Sequence, residues 1–305
     1  MAPDGHWGWI FSDTSLTWFC SWRLRLGGRS RIIFKYFSSA ARQKRGIPRC
    51  SSARSIGVQA WWQPWMATRC YDPASMNHET AVLLARLTGF LLPEGEAAAR
   101  GLQAVRISEK GEMRASEESR WMSFTAELTF QTRLSEFRWD ARTSGIVITD
   151  AYEGGHGIAM SRLAGLLTLK KATRGPELDR GEVQRYLSSL MLCPAAIVNH
   201  ASLEWNAVAE SVLRVRDSAD PTGAAVDFEI GADGEPTSCH TIRPRMVGRD
   251  AVDTKWEGRG SDFRIWNGMR VAHRLEVWWE IPDAPFCYYR SDVTHCEGTA
   301  VSQNI

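Results

Sequence analysis

Gly175-Pro176-Glu177-Leu178-Asp179-Arg180-Gly181-Glu182-Val183-Gln184-Arg185-Tyr186-Leu187-Ser188-Ser189-Leu190-Met191-Leu192-Cys193-Pro194 is the clearest helical stretch in a chain that otherwise reads mostly as strands. Asp179 suits an N-cap, and Glu182 three residues later completes a capping box, which predicts a helix near 179–192. Val183, Tyr186, Leu187 and Leu190 fall at i, i+3, i+4 and i+7 and form one apolar face. Glu182, Gln184, Arg185 and Ser188 fall elsewhere on the wheel. Pro194 is expected to end the helix, since it lacks a donor and disfavours helix at Cys193. One amphipathic helix among strands must lay its apolar face on a sheet.

Upstream, Ala81–Leu92 reads as a twelve-residue core or interfacial helix containing Arg86, followed by a break at Pro93-Glu94-Gly95 and an Ala-rich turn from Glu96 to Arg100. Leu102–Ile107 is expected to pair with Glu112–Arg114 around Lys110-Gly111. Trp121–Gln131 is the cleanest strand: Phe124, Ala126, Leu128 and Phe130 share one face, Ser123, Thr125, Glu127 and Thr129 the other. That alternation requires an antiparallel sheet with one covered and one wet face. Phe137, Trp139 and Ala141 continue it, as does Ile146–Tyr152. A turn is expected at Gly154-Gly155-His156-Gly157, and Met160–Leu169 reads as a second candidate helix.

Downstream of Pro194, strands are expected at Leu203–Asn206, Ser211–Arg216, Ala224–Ile230, Thr237–Arg243, Thr254–Ile265, Met269–Ile281 and Tyr288–Cys296, with no sustained helix. Asp233-Gly234 and Asn267-Gly268 mark hairpins. The expected class is α+β, mostly β. About ten antiparallel strands form a curved sheet, a half-barrel or open barrel, with two or three helices inserted midway or covering one face. The concave side of such a sheet is a natural pocket for an apolar molecule.

Of 305 residues, 44% are hydrophobic and 24% charged, which suits one large globular domain or two small ones. No run of 18 apolar residues exists, so no membrane-spanning helix is expected. Residues 1–75 carry eleven Lys+Arg against three Asp+Glu and seven of the fourteen tryptophans, leaving 26 basic and 32 acidic residues for 76–305. An acidic body argues against general nucleic-acid binding. The basic leader admits three readings: an organellar targeting peptide, a basic-aromatic arm for membrane or nucleic acid, or upstream sequence read from a wrongly chosen start. The third is preferred, because Met76-Asn77-His78 opens both the acidic composition and a helical pattern. Residues 1–75 are then expected to be disordered, and 76–305 to form a single mostly-β domain.

The seven cysteines, Cys20, Cys50, Cys70, Cys193, Cys239, Cys287 and Cys296, show neither C-x-x-C nor zinc-finger spacing. Free thiols point to a reducing, cytoplasmic setting, with organellar import the alternative if the leader is a targeting segment.

The body resembles an uncharacterised, mainly bacterial family, a domain of unknown function, over roughly Leu102–Glu297. The resemblance rests on residues 175–187, on Pro194-Ala195-Ala196 and on Trp205. Later it rests on Gly260-Ser261-Asp262-Phe263-Arg264, on Asn267-Gly268-Met269-Arg270-Val271 and on Pro285-Phe286-Cys287-Tyr288-Tyr289-Arg290. The strand–Asn-Gly–strand pattern also looks like the periplasmic lipoprotein-carrier half-barrel. The family brings no activity with it. Its members begin close to the Leu102 strand, which supports the fold and the Met76 start.

Candidate residues divide into apolar and polar groups. Trp139, Tyr186, Trp205, Trp279 and Tyr288 are the candidate ligand-binding side chains. Phe124, Phe130, Phe228 and Trp278 read as core, although adjacent Trp278 and Trp279 put one indole on each sheet face. Glu177, Asp262, His273 and Arg290 are candidate polar pocket groups. Asp262 could pair with Arg290 across strands, and Arg264 and His295 lie nearby in sequence. Glu177, Asp179 and Arg185 more simply cap the helix, His156 more simply sits in a turn, and His200 with Glu204 lacks the further ligands a metal needs. No P-loop and no Gly-x-Ser-x-Gly elbow is present, so no cofactor and no metal are expected. The leading expectation is a non-enzymatic binder of an apolar or amphipathic small molecule or lipid. The alternatives are an enzyme using acid–base groups in the same pocket, or an interaction module with a filled core.

Overall fold

The computed structural model describes residues 76–172, 174–247, 250–282 and 284–300, and the backbone of three strands near the N-terminus. Those strands, β1 (Gly5–Ser12), β2 (Ser15–Leu26) and β3 (Arg29–Ile33), form a sheet of their own in the order β1-β2-β3. The expectation of a disordered or wrongly started leader falls on residues 1–75, of which only these strands lie among the described residues.

The body opens with α1 (His78–Leu91), whose Asn77 side chain accepts from the Thr80 amide at 2.8 Å as a true N-cap. α2 (Ala97–Arg100) is a single turn. Six strands follow: β4 (Leu102–Met113), β5 (Met122–Gln131), β6 (Phe137–Thr143), β7 (Ile146–Glu153), β8 (His156–Leu163) and β9 (Leu167–Lys171). Then come α3 (Pro176–Ser188), a 3-10 turn (Ser189–Met191) and α4 (Pro194–Asn199). Seven strands close the body: β10 (Leu203–Ala209), β11 (Val212–Asp217), β12 (Ala225–Ile230), β13 (Pro236–Val247), β14 (Asp250–Trp266), β15 (Met269–Glu280) and β16 (Pro285–Ala300).

These thirteen strands form one antiparallel sheet in the order β10-β11-β12-β13-β14-β15-β16-β4-β5-β6-β7-β8-β9. It consists of two meanders joined by pairing of the last strand with the first, Arg290 opposite Glu112 and Ser291 opposite Gly111. The two edges, β9 and β10, are consecutive in the chain, and the helical segment 176–199 connects them. α3 packs against β7 and β8 of one meander and against β12 and β13 of the other. A sheet whose opposite ends reach one helix has curled around it, as twist accumulated over many strands demands. The mostly-β, curved-sheet class read from sequence is therefore observed, with α3 inside the curve.

Several local expectations are corrected. Met160–Leu169 is not a helix. It contributes to β8 and β9, joined by Ala164 and Gly165 at φ 49° and 73°. Two successive positive φ values, with the Leu166 amide donating to the Leu163 carbonyl at 3.0 Å, turn the chain within a three-residue connection, and Asn267-Gly268, at φ 49° and 77°, makes the two-residue type I′ hairpin. A short apolar run carries no periodic signal able to separate helix from buried strand. Leu102–Ile107 and Glu112–Arg114 do not pair with each other but belong mostly to one long strand, β4, held between β16 and β5. The capping box is not formed: Gly175 is the N-cap, Pro176 occupies the first turn, and the Asp179 carboxylate instead accepts from the Gly157 amide at 2.7 Å. Pro194 ends one helical segment but starts α4, where a first-turn proline costs no hydrogen bond.

The largest departure concerns the polar side of α3. Val183, Tyr186, Leu187 and Leu190 are buried as expected, but so are Glu182, Gln184 and Ser188. Beyond its exposed first turn, a helix enclosed by both ends of a sheet keeps little solvent face, so each buried polar group needs an internal partner. Gln184 donates to the Thr241 hydroxyl and the Ile242 carbonyl, both at 2.9 Å. Ser188 donates to the Arg185 carbonyl at 2.9 Å. The fully buried Arg243 donates to the Gly181 carbonyl at 2.8 Å and lies over the Trp256 ring. Gly157 permits a close approach of α3 to β8: a Cβ there would stand 2.8 Å from Leu178 Cγ. The glycine cluster at 154–157 is thus a turn followed by a helix–strand contact.

Candidate functional site

On β4 the inward alternation Val105, Ile107, Glu109 places a carboxylate where a hydrophobic residue would follow. Glu109 is buried, and three donors converge on it. Trp139 Nε1 and the Tyr289 hydroxyl donate to Oε1 at 2.6 and 2.7 Å, and the Ser291 hydroxyl donates to Oε2 at 2.7 Å. Three hydrogen bonds offset the desolvation of the buried carboxylate. Burial, reinforced by the Glu109 charge, pushes the Tyr289 phenol well above its ordinary range, so it stays a neutral donor.

Arg185 reaches the same region from α3. Its guanidinium donates to Asp150 Oδ2 at 2.6 Å and lies over the Trp139 ring, 4.7 Å from the centroid. Trp139 therefore separates a carboxylate at its edge from a guanidinium at its face, the arrangement an indole quadrupole favours.

Between the end of α3 and the strands lies a cavity of about 70 Å³. Glu109, Arg185, Met191, Trp256, Leu275 and Val277 are among the residues that line it. Its lining thus mixes charged side chains, Arg259 and Glu276 among them, with apolar ones. The space accepts a few waters or one small chemical group, well short of the ~300 Å³ of an ordinary small-molecule pocket. Beyond its apolar wall, Trp256 Nε1 donates to the Tyr288 hydroxyl at 3.0 Å and Trp279 stacks on Tyr288 with centroids 5.8 Å apart.

The residues singled out from sequence are distributed as follows. Trp139 belongs to the Glu109 network, and Trp279 and Tyr288 form the stacked pair beside the cavity. Tyr186 is buried elsewhere, its hydroxyl donating to the Gln131 carbonyl at 2.9 Å, and Trp205 packs on Phe228. The four polar candidates do not converge. Glu177 is exposed at the start of α3, and His273 is half-buried on β15. Asp262 is exposed, at φ 52°, and accepts from Arg264 at 2.7 Å rather than from Arg290. The Arg264 contact is the first cause holding the Asp262 carboxyl below its ordinary range. Arg290 is on the outer face, bonded to Glu112 at 2.5 Å and lying over Trp121. The expected Asp262–Arg290 pair is absent because β15 lies between β14 and β16, and each partner has a nearer counter-ion. Glu204 pairs with Arg216, and no group of His, Cys, Asp and Glu suited to a metal occurs among the described residues.

Sequence reasoning missed Glu109, Asp150, Arg185 and Tyr289 as one network. The detectable signal was Glu109 sitting in phase with Val105 and Ile107. A second polar cluster was also missed. Ser135, His200 and Asp217 meet in the core, Ser135 donating to Asp217 at 2.7 Å and lying 3.2 Å from His200 Nε2. Here Asp217 accepts from the serine and His200 Nδ1 faces Ser202, so the order is not that of a nucleophilic triad. Burial is the main cause lowering the His200 pKa, partly offset by Asp217.

The family model matching this chain is a family of unknown function, DUF6920, over residues 87–297. Among curated proteins none matches. The fold is similar to that of a LolA superfamily protein from Nitrosomonas europaea at 8% identity and a TM-score of 0.38, covering 72% of this chain and 92% of that one. It is also similar to a DUF1329 family protein from Desulfovibrio piger at 7% identity and a TM-score of 0.42, covering 73% and 94%.

Proposed function

The chain belongs to the DUF6920 family of unknown function, and from that premise we propose that it binds an amphipathic small molecule between α3 and the concave face of its sheet. The carrying observation is the cavity whose lining combines the charged Arg185 and Glu109 with the apolar Met191, Leu275 and Val277. Arg185 and Ser188 would receive the polar end of the ligand, and the apolar part would run toward Trp256. In the form described here the helix fills the curve, so a larger ligand enters by displacing the end of α3 and the 3-10 turn from β14 and β15. Apolar contact at about 25 cal/mol per Å² would then have to exceed the loss of helix packing. That cost selects for ligands with a substantial apolar part.

Native mass spectrometry of the gently purified full chain, before and after extraction with organic solvent, tests the reading. The expected result is an added mass that extraction removes and that Leu275→Trp, which fills the cavity, prevents. A folded protein showing its sequence mass alone, and gaining none on titration with fatty acids or lysophospholipids, refutes it.

A further inference from the structure

The β8–β9 hairpin does not resemble the rest of the surface. Leu163, Leu166 and Leu167 at its tip are 45%, 90% and 56% exposed. The Ala164-Gly165 turn holds them out, and the Ala164 amide donates to the Gly145 carbonyl at 2.7 Å, which ties the tip to the neighbouring β6–β7 turn. From His156 to Gly175 the chain contains no Asp or Glu but has Arg162, Lys170, Lys171 and Arg174, inside a body that is otherwise net acidic. Arg142, opposite Val147 on the adjoining hairpin, adds another cation. Among the described residues, Arg142, Arg162, Lys170 and Lys171 have no salt-bridge partner. Asp140, the first acid back along β6, is engaged by Arg138 and Thr149.

We propose that this hairpin tip docks on an anionic lipid surface, inserting Leu163, Leu166 and Leu167 while the surrounding Arg and Lys side chains meet the headgroups. Charge complementarity favours this occupant: unpaired cations beside exposed leucines match a bilayer carrying negative headgroups. Shape favours it too. A convex tip of three leucines offers far less than the roughly 800 Å² per side of a stable protein interface, whereas a bilayer accepts a small wedge. β9 is also an edge strand, and Lys170 and Lys171 along it oppose edge-to-edge pairing with a second copy. The site lies apart from the internal cavity and does not depend on it.

Co-sedimentation of the full chain with vesicles tests the proposal, using phosphatidylcholine alone and phosphatidylcholine with 30% phosphatidylserine, an on-the-order choice for an anionic leaflet. Wild type is expected to bind the anionic vesicles and to release as salt is raised. Leu166→Asp combined with Leu167→Asp should lower partition at least about tenfold, and Arg142→Glu combined with Lys171→Glu, both exposed, should lower it comparably. Both pairs should leave the thermal midpoint unchanged, since these side chains pack on little. The basic residues of 1–75 could hold the chain on the same vesicles, so the variants decide. If the leucine pair binds as wild type does, or if wild type binds neither vesicle, the proposal is wrong. A dimer seen by light scattering without lipid and lost in the leucine pair would equally overturn it, in favour of self-association.

Discussion

Replacing Arg185 by methionine is the sharpest test of α3 as a helix enclosed by the sheet. Asp150 has a side chain only 1% exposed and Arg185 12%, and they meet at 2.6 Å. Methionine keeps the length of the side chain but leaves the Asp150 carboxylate buried without its guanidinium. Breaking a buried pair from one side costs about 3–5 kcal/mol, because the remaining carboxylate loses its guanidinium but keeps its desolvation penalty. The stacking on Trp139 and Phe137 is lost as well, about 0.5–2 kcal/mol. Arg185→Met should therefore destabilise by roughly 3.5–7 kcal/mol, and adding Asp150→Asn should recover a large part of that loss. The exposed pair Arg216–Glu204, with side chains 62% and 49% accessible, is the control: Arg216→Met should change stability by less than about 1 kcal/mol. Urea unfolding followed by tryptophan fluorescence reads all four proteins, provided the denaturant slope is constant. If Arg185→Met costs no more than Arg216→Met, the ion pair is solvated and α3 is not enclosed.

Other consequences can be measured with the same protein. His200 has its pKa lowered by burial, so below pH 6.5 the unfolded chain binds more protons than the folded one. Its contribution is complete above pH 6.5 and is lost as pH falls toward the lowered folded value. Urea titrations at pH 7.5 and 5.5 should show that loss in wild type and a smaller one in His200→Gln. Gly111→Ala should cost about 2 kcal/mol or more, since a Cβ there would lie 2.2 Å from the Arg290 carbonyl oxygen at the junction of the two meanders. A normal melting temperature for Gly111→Ala would place that junction elsewhere. Burial pushes the Cys193, Cys239 and Cys296 thiols up to about 12. Peptide mapping after iodoacetamide at pH 8 should find these three unmodified in the native protein and modified in urea. Rapid native-state labelling would contradict the packing around them.

The sequence by itself determined what local chemistry can encode. Period-two alternation in Phe124, Ala126, Leu128 and Phe130 specified a strand with one covered face. Asn267-Gly268 specified a hairpin, because positive φ is cheap for both residues. Val183, Tyr186, Leu187 and Leu190 specified a helix and the side on which it packs. Short runs such as Met160–Leu169 were ambiguous because they are too brief to display either period. The candidate site was legible only as Glu109 in phase with an apolar row, without its partners. Trp139 lies 30 residues away, Tyr289 180 and Ser291 182. They reach Glu109 only because β16 pairs with β4 and β6 with β5. The same closure buries Glu182, Gln184 and Ser188, which a helical wheel assigns to water. Which side of a helix is wet depends on how many elements surround it, and that number is set by long-range strand pairing that no local pattern records.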